Sequence, residues 1–424
     1  MIPADLVVRG CRQLLTCGGP LPKRKDALSD VGLKHNAWVA AHRGRIVFIG
    51  TEEEFSRRVR AEDDAQVIDA SNLVGLPGFV DAHTHLPFAG SREEEFVLRL
   101  KGLTYRQLAD RGLGIQTSVK ATRAATAEEL RRLCLDRLDR MLSLGTTTVE
   151  AKSGYGLNCG DELKQLEALA EAGRIHPVEV VPTLMAAHEI PPEFKERREE
   201  YIQLIIRTLI PEVRKRNLAE FFDVFCEQGV FSLEETRRLA EAARAAGFKV
   251  KVHADEFYPL GGGALAAELK AVSAEHLIAV DARGIAALGA GPTAAVLLPA
   301  VSFFLMLDRR APARELINAG AAVALASDFN PGSSMTESML FILQLGVYTL
   351  KLGVEEAINA CTANAAYALD RQATVGSLEV GKKMDLLLCD IPNYLFLVYH
   401  LGVNPIRHVI KNGRVVIRDG RRCD

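Results

Sequence analysis

The sequence predicts an α/β protein: a (β/α)₈ barrel of the TIM-like kind, beside a small β-sandwich formed by the N- and C-terminal segments. Three observations carry this prediction. From about residue 76 to about residue 350, short apolar runs alternate with longer stretches of helical pattern. Eight strand candidates end near Val80, Glu150, Met185, Glu227, His253, Glu275, Leu298 and Ser327, and each is followed by loop residues and a helix candidate. The flanks, in contrast, hold short strands and turns with no helix of comparable length.

The elements follow in chain order. Leu6-Val7-Val8, Ala37-Trp38-Val39-Ala40 and the run from Arg45 to Gly50 read as short strands at the N-terminal end. Leu76-Pro77-Gly78-Phe79-Val80 reads as the first barrel strand. Two barrel helices open on capping boxes, Thr126 with Glu129 and Ser232 with Glu235, where a hydroxyl and a later carboxylate satisfy free backbone donors. The uncharged stretch from Gly284 to Leu307 has the length of a membrane span. Gly289, Gly291, Pro292 and Pro299 interrupt it, so it reads instead as a region holding a short parallel strand buried on both faces. Near the C-terminal end, Asp385 to Cys389 and Val409 to Ile417 are strands, the second folded at Asn412-Gly413, a strong hairpin signal. The expected division is therefore a composite β-sandwich of 1–75 with 375–424 and a barrel of 76–374.

Composition narrows the function. Of 424 residues, 48% are hydrophobic and 25% charged, which is ordinary for a globular chain. Lys plus Arg number 52 against 54 for Asp plus Glu, so no basic surplus points to nucleic acid or an anionic membrane, and a small molecule is the default partner. The eight cysteines form no Cys-x-x-Cys pair and read as reduced cytosolic thiols. The start, Met1-Ile2-Pro3-Ala4-Asp5, lacks the pattern of a signal peptide, so the expected location is cytoplasmic.

The string Gly78-Phe-Val-Asp-Ala-His-Thr-His carries the first chemical signal. Alternate side chains of an extended strand share a face, so His83 and His85 can take two positions on one metal ion. They stand at the C-terminal end of the first barrel strand, where active sites of this fold are built. His188, His253 and His276 have similar addresses. His253 ends an alternating strand and offers a third neutral imidazole; Asp328 ends a strand with no other charge and needs a partner such as a cation. Three histidines and an aspartate suit one Zn²⁺ or Fe²⁺, with a position left for water. Glu256 is placed to exchange protons with water and a substrate nitrogen, although with Asp255 it could also be a solvated turn. His276 could polarise a carbonyl, and Asp328 could also accept the water proton.

At these residues the chain resembles the amidohydrolase superfamily, and the resemblance covers nearly the whole sequence. The spacing from His253 to Glu256, followed by His276, is similar to its mononuclear branch, and Phe221 to Glu227 has no bridging lysine. Longer strings narrow the resemblance: His83-Thr-His-Leu-Pro-Phe-Ala-Gly-Ser-Arg, Glu150-Ala-Lys-Ser-Gly-Tyr-Gly-Leu, Ala187-His-Glu-Ile-Pro-Pro, His253-Ala-Asp-Glu and Ser327-Asp-Phe-Asn-Pro-Gly-Ser. They look like the members that hydrolyse 4-imidazolone-5-propanoate to N-formimidoyl-L-glutamate in histidine degradation. The resemblance implies that substrate, and it suggests a homodimer.

Such a substrate bears a propanoate, which the Arg92 guanidinium could hold by paired hydrogen bonds unless Arg92 simply pairs with surface carboxylates of the following Glu93-Glu94-Glu95. Tyr155 and His188 offer further donors, Glu256 can face the ring, and the turn from Asn330 through Gly332 and Ser333 adds an amide and free backbone groups. Lys152, polar in an apolar strand, reads as a buried structural amine in preference to a carbamate ligand. Two other functions compete: an aminohydrolase of cytosine-like or guanine-like rings, and a non-catalytic scaffold that kept the barrel.

Overall fold

The computed structural model describes residues 1–103, 107 and 113–423. The N-terminal segment supplies five strands, β1 (Ile2–Leu15), β2 (Leu33–His42), β3 (Arg45–Gly50), β4 (Val59–Asp69) and β5 (Val74–Pro77). After them come the barrel strands β6 (Phe79–Asp81), β7 (Thr146–Lys152), β8 (Glu179–Ala187), β9 (Phe221–Cys226), β10 (Lys249–Ala254), β11 (Ser273–His276), β12 (Ala294–Leu297) and β13 (Ala322–Leu325). The C-terminal segment returns as β14 (Leu386–Cys389), β15 (Ile406–Lys411), β16 (Arg414–Arg418) and β17 (Arg421–Arg422).

Both ends of the chain meet, as expected, in one mixed sheet of nine strands separate from the barrel. The join is the antiparallel pairing of β5 with β14, Leu76 opposite Leu387. Leu6, Val8 and Val39 from one end share an apolar cluster with Leu386, Leu388 and Ile410 from the other. The hairpin β15–β16 turns at Asn412 and Gly413, both with positive φ (49° and 70°), which is the twist a two-residue hairpin turn requires. The flank also contains what its pattern did not announce, a capped helix Glu52–Arg58 and the strand β4. The helix has a single apolar contact, Phe55, packed against Trp38 and Phe48, so no amphipathic period marks it. β4 carries three consecutive acids and pairs only with β1, so it needs no alternation either.

The eight barrel strands lie parallel in sequence order, and each ends within about two residues of its expected position. Strands β12 and β13 are buried along their full length, which accounts for their unbroken apolar character; β7 is equally buried but carries Glu150 and Lys152. One boundary moves. Leu76 and Pro77 belong to the terminal sheet, and the first barrel strand begins only at Phe79. The chain crosses between the two at Gly78, where a Cβ would lie 2.3 Å from Thr147 Oγ1. Both predicted capping boxes are present, at the helices Ala127–Ser143 and Leu233–Ala245. The stretch from Gly284 to Leu307 resolves into the end of a helix, β12 and a short helix Pro299–Phe304; among the described residues no helix is long and apolar enough to cross a membrane. All eight cysteines carry free thiols.

Closure of the barrel positions the site. Beyond the end of β6, Asp328 N donates to His83 O at 3.0 Å and His85 N donates to Phe329 O at 2.9 Å. The two histidines of the His-x-His string are therefore held by backbone hydrogen bonds beside Asp328.

Candidate metal centre

His83 and His85 follow β6, His253 is the penultimate residue of β10, and Asp328 follows β13. All four are buried. Asp328 Oδ1 lies 3.1 Å from His83 Nε2 and 3.4 Å from His85 Nε2, and His253 Nε2 lies 3.4 Å from His85 Nε2. Three imidazole nitrogens and one carboxylate oxygen thus converge from three strand ends. His83 Nε2 and Asp328 Oδ1 are buried without a hydrogen-bond partner, a costly state that a cation relieves. This donor set fits a divalent metal of the zinc or iron class. Burial favours a neutral Asp328 carboxyl, but the facing His83 and His85 outweigh it and hold its pKa well below the usual range. Asp328 also has a left-handed backbone (φ 52°), kept in place by its bond to His83 O and by Asn330 Nδ2, which donates to Asp328 O at 2.7 Å.

The opposite nitrogens of two ligands face carboxylates. Glu275 Oε2 is 2.5 Å from His83 Nδ1, and Asp223 Oδ1 is 3.1 Å from His253 Nδ1. A carboxylate there fixes the tautomer with the proton on Nδ1 and leaves the Nε2 lone pair for a metal. Lys152, read from the sequence as a structural amine, has its ammonium 2.8 Å from Asp223 Oδ2 and 3.1 Å from Glu275 Oε2.

A cavity of about 690 Å³ opens over His85, His253 and Asp328. Its wall carries Glu256 and His276, 3.6 Å apart between Oε2 and Nε2. Burial, reinforced by the nearby carboxylates of Asp328 and Glu227, lifts the Glu256 pKa well above the usual carboxylate range, which favours its protonated form. Burial pushes His276 down to about 4, which keeps its imidazole neutral. The segment behind Glu256 is no solvated turn: Asp255 is buried and accepts hydrogen bonds from Gly261, Gly262 and Gly263 N at 2.8, 3.0 and 2.8 Å. Glu227 Oε2 accepts from Phe257 N at 2.9 Å, so Glu256 sits between two anchored neighbours.

The other expected residues, Arg92, Tyr155, His188, Asn330, Gly332 and Ser333, line the same cavity. Arg92 does pair with a carboxylate of the Glu93–Glu95 run, but with a buried one: its Nε and Nη2 both reach Oε2 of Glu95, at 2.9 and 2.8 Å. His188 donates from Nδ1 to Gly154 O at 2.9 Å and stacks on His85, and burial pushes its pKa down to about 3, so Nε2 is an acceptor. The turn after β13 requires a correction. The backbone N–H groups of Gly332 and Ser333, expected to be free, donate to Asn330 Oδ1 at 2.8 and 2.9 Å. Gly332 matters instead for room, because a Cβ there would lie 2.2 Å from Arg92 Nη1.

A model of the amidohydrolase family matches residues 74–416. Imidazolonepropionase of Symbiobacterium thermophilum is 49% identical over 422 residues, 99% of this chain and 99% of that one. The imidazolonepropionase of Geobacillus kaustophilus is 47% identical over 419 residues, 98% of this chain and 99% of that one. The chain belongs to the amidohydrolase family, among the imidazolonepropionases. Solved structures agree in fold. A 5-methylcytosine deaminase from Klebsiella pneumoniae matches with a TM-score of 0.74 at 19% identity over 99% of each chain. An adenosine deaminase from Xanthomonas campestris with bound zinc matches with a TM-score of 0.74 at 18% identity, over 100% of this chain and 95% of that one.

In this amidohydrolase the sequence reading missed the groups behind the ligands: Glu150, Asp223, Lys251 and Glu275, all fully buried. Asp223 alone is a charge in an otherwise apolar strand; Glu150, Lys251 and Glu275 share their strands with other polar or charged residues and do not stand out.

Proposed function

We infer that this chain hydrolyses 4-imidazolone-5-propanoate to N-formimidoyl-L-glutamate, a step of histidine degradation. What carries the reading is 49% identity to an imidazolonepropionase across 99% of both chains, in a protein that retains every group the reaction asks for. Water adds its oxygen to the ring carbonyl carbon, the ring C–N bond breaks, one proton leaves the water and one reaches the departing nitrogen. The proposed cofactor is one divalent ion, zinc or iron, held by His83, His85, His253 and Asp328. When bound, it acidifies a water and polarises the carbonyl.

The chain's own groups do the rest. Asp328 is ionised and takes the water proton; Glu256 is neutral and delivers a proton to the ring nitrogen. Neutral His276, 3.6 Å from Glu256, stabilises the oxygen on which charge develops. Arg92, held at one edge by Glu95, receives the propanoate. Tyr155 and His188 line the same cavity and offer polar contacts to the ring, and Asn330 and Ser333 brace Asp328. The purified protein with its metal is expected to consume imidazolone propanoate, followed by loss of its ultraviolet absorbance. Ammonia released from cytosine or guanine, with no such loss, would favour the aminohydrolase reading.

Gly332→Ala tests the place of Arg92. A Cβ at that position displaces a flexible guanidinium, so stability should hardly change while KM rises. Loss of hydrogen bonds between charged groups is worth about 1.5–3 kcal/mol, on the order of 10- to 100-fold in KM. Steady-state kinetics with an unchanged KM would remove Arg92 from the carboxylate subsite.

A further inference from the structure

Beneath the four ligands, five charged side chains fill the barrel interior: Glu150 and Lys152 on β7, Asp223 on β9, Lys251 on β10 and Glu275 on β11, each with no exposed surface. Lys152 Nζ lies 2.6 Å from Glu150 Oε1, 2.8 Å from Asp223 Oδ2 and 3.1 Å from Glu275 Oε2. Carboxylate oxygens from three strands therefore surround one ammonium nitrogen. A divalent cation that accepts carboxylate oxygens, zinc included, takes the same surroundings at shorter distances. Asp223 Oδ2 and Glu275 Oε2 meet the Lys152 ammonium without hydrogen-bond alignment, so charge, more than bond geometry, holds them to it. Donor atoms of Asp223, His253 and Glu275 also lie within 4.8 Å of one another, so the cluster reaches the far side of a proposed ligand.

We propose that the Lys152 ammonium occupies a second divalent-cation position, and that this lysine is what limits the site to one metal ion. The inference rests on the four-ligand reading of the first metal. Three carboxylates here face two ammoniums, because Lys251 Nζ pairs with Glu275 Oε1 at 2.8 Å and donates to Ala82 O at 2.8 Å. Without Lys152, three buried carboxylates face one ammonium, and buried charge left without a partner is strongly unfavourable. A dication restores the balance, and the space left by the lysine side chain accommodates it. The carboxylate oxygens already converge from three strands, and rotation of their side chains shortens the distances to an ion without moving the backbone.

The test is the zinc content per chain of the full-length protein, loaded with zinc and dialysed, together with melting in zinc and in chelator. The wild type is expected to hold one zinc and Lys152→Ala two, with zinc raising the melting temperature of the variant more than that of the wild type. Adding Glu150→Gln removes one charge from the shell and should weaken the second zinc at least about tenfold, since ligand charge tunes such sites. Two zinc ions in the wild type, one in Lys152→Ala, or a Lys152→Ala chain that stays unfolded in excess zinc each overturn the proposal. A wild type without zinc or any other divalent metal overturns the four-ligand reading beneath it, which is a different result.

Discussion

His83→Ala is expected to leave a protein with far less than stoichiometric metal and with turnover reduced by roughly 10³- to 10⁵-fold, since Lewis-acid stabilisation is worth several kcal/mol and each 1.36 kcal/mol is tenfold. His83 faces two partners at once. Its Nε2 is 3.1 Å from Asp328 Oδ1, and its Nδ1 is 2.5 Å from Glu275 Oε2. The alanine removes a ligand and leaves two buried carboxylates short of a neighbour, at a cost of about 3–5 kcal/mol typical of breaking a buried charge pair. Asp328, whose pKa is held low against burial by His83 first and His85 second, should then titrate at a higher pH. Metal analysis and turnover of the wild type and the variant, side by side, check this. Wild-type metal content in His83→Ala would contradict the site.

The barrel was legible because parallel strands buried on both faces write continuous apolar runs, and because capping residues punctuate the helices between them. The one misplaced boundary has a clear cause. β5 and β6 are separated by Gly78 alone, so Leu76 to Val80 is a single apolar string, and only the partner strands, β14 for one half and β7 for the other, reveal two sheets. His83 and His85 were legible by their period of two. Asp223 and Glu275 were not assigned because a single carboxylate in a strand has no meaning until its partner is known, and His83 and His253 reach them only through the closed barrel. The Gly332 and Ser333 donors were misread although the sequence held the answer: an Asn side chain commonly bonds the backbone two and three residues on, and Asn330 does so. Packing of Arg92 against Gly332 depends on side-chain direction and was beyond pattern reading.

Glu256→Gln should keep the metal and the fold and lose about 10²- to 10⁴-fold in kcat, the usual weight of a general acid. The amide fills the same volume and can still meet His276, but it has no proton to give the departing nitrogen. The pH dependence separates this from a packing effect. Burial first, and then the carboxylates of Asp328 and Glu227, raise the pKa of Glu256, so the acid form required for catalysis persists above the ordinary carboxylate range and is lost as pH rises through that raised value. The wild type should therefore show an alkaline fall in kcat that Glu256→Gln lacks. Stability follows the same sign. The folded chain holds this proton more tightly than the unfolded one, so in the window from the ordinary carboxylate pKa up to the raised pKa the wild type loses stability with rising pH. The glutamine variant has no such term, and the difference in melting temperature between the two should widen in its favour across that window. A variant with wild-type kcat, or with the alkaline limb intact, would remove the proton-donor role from Glu256.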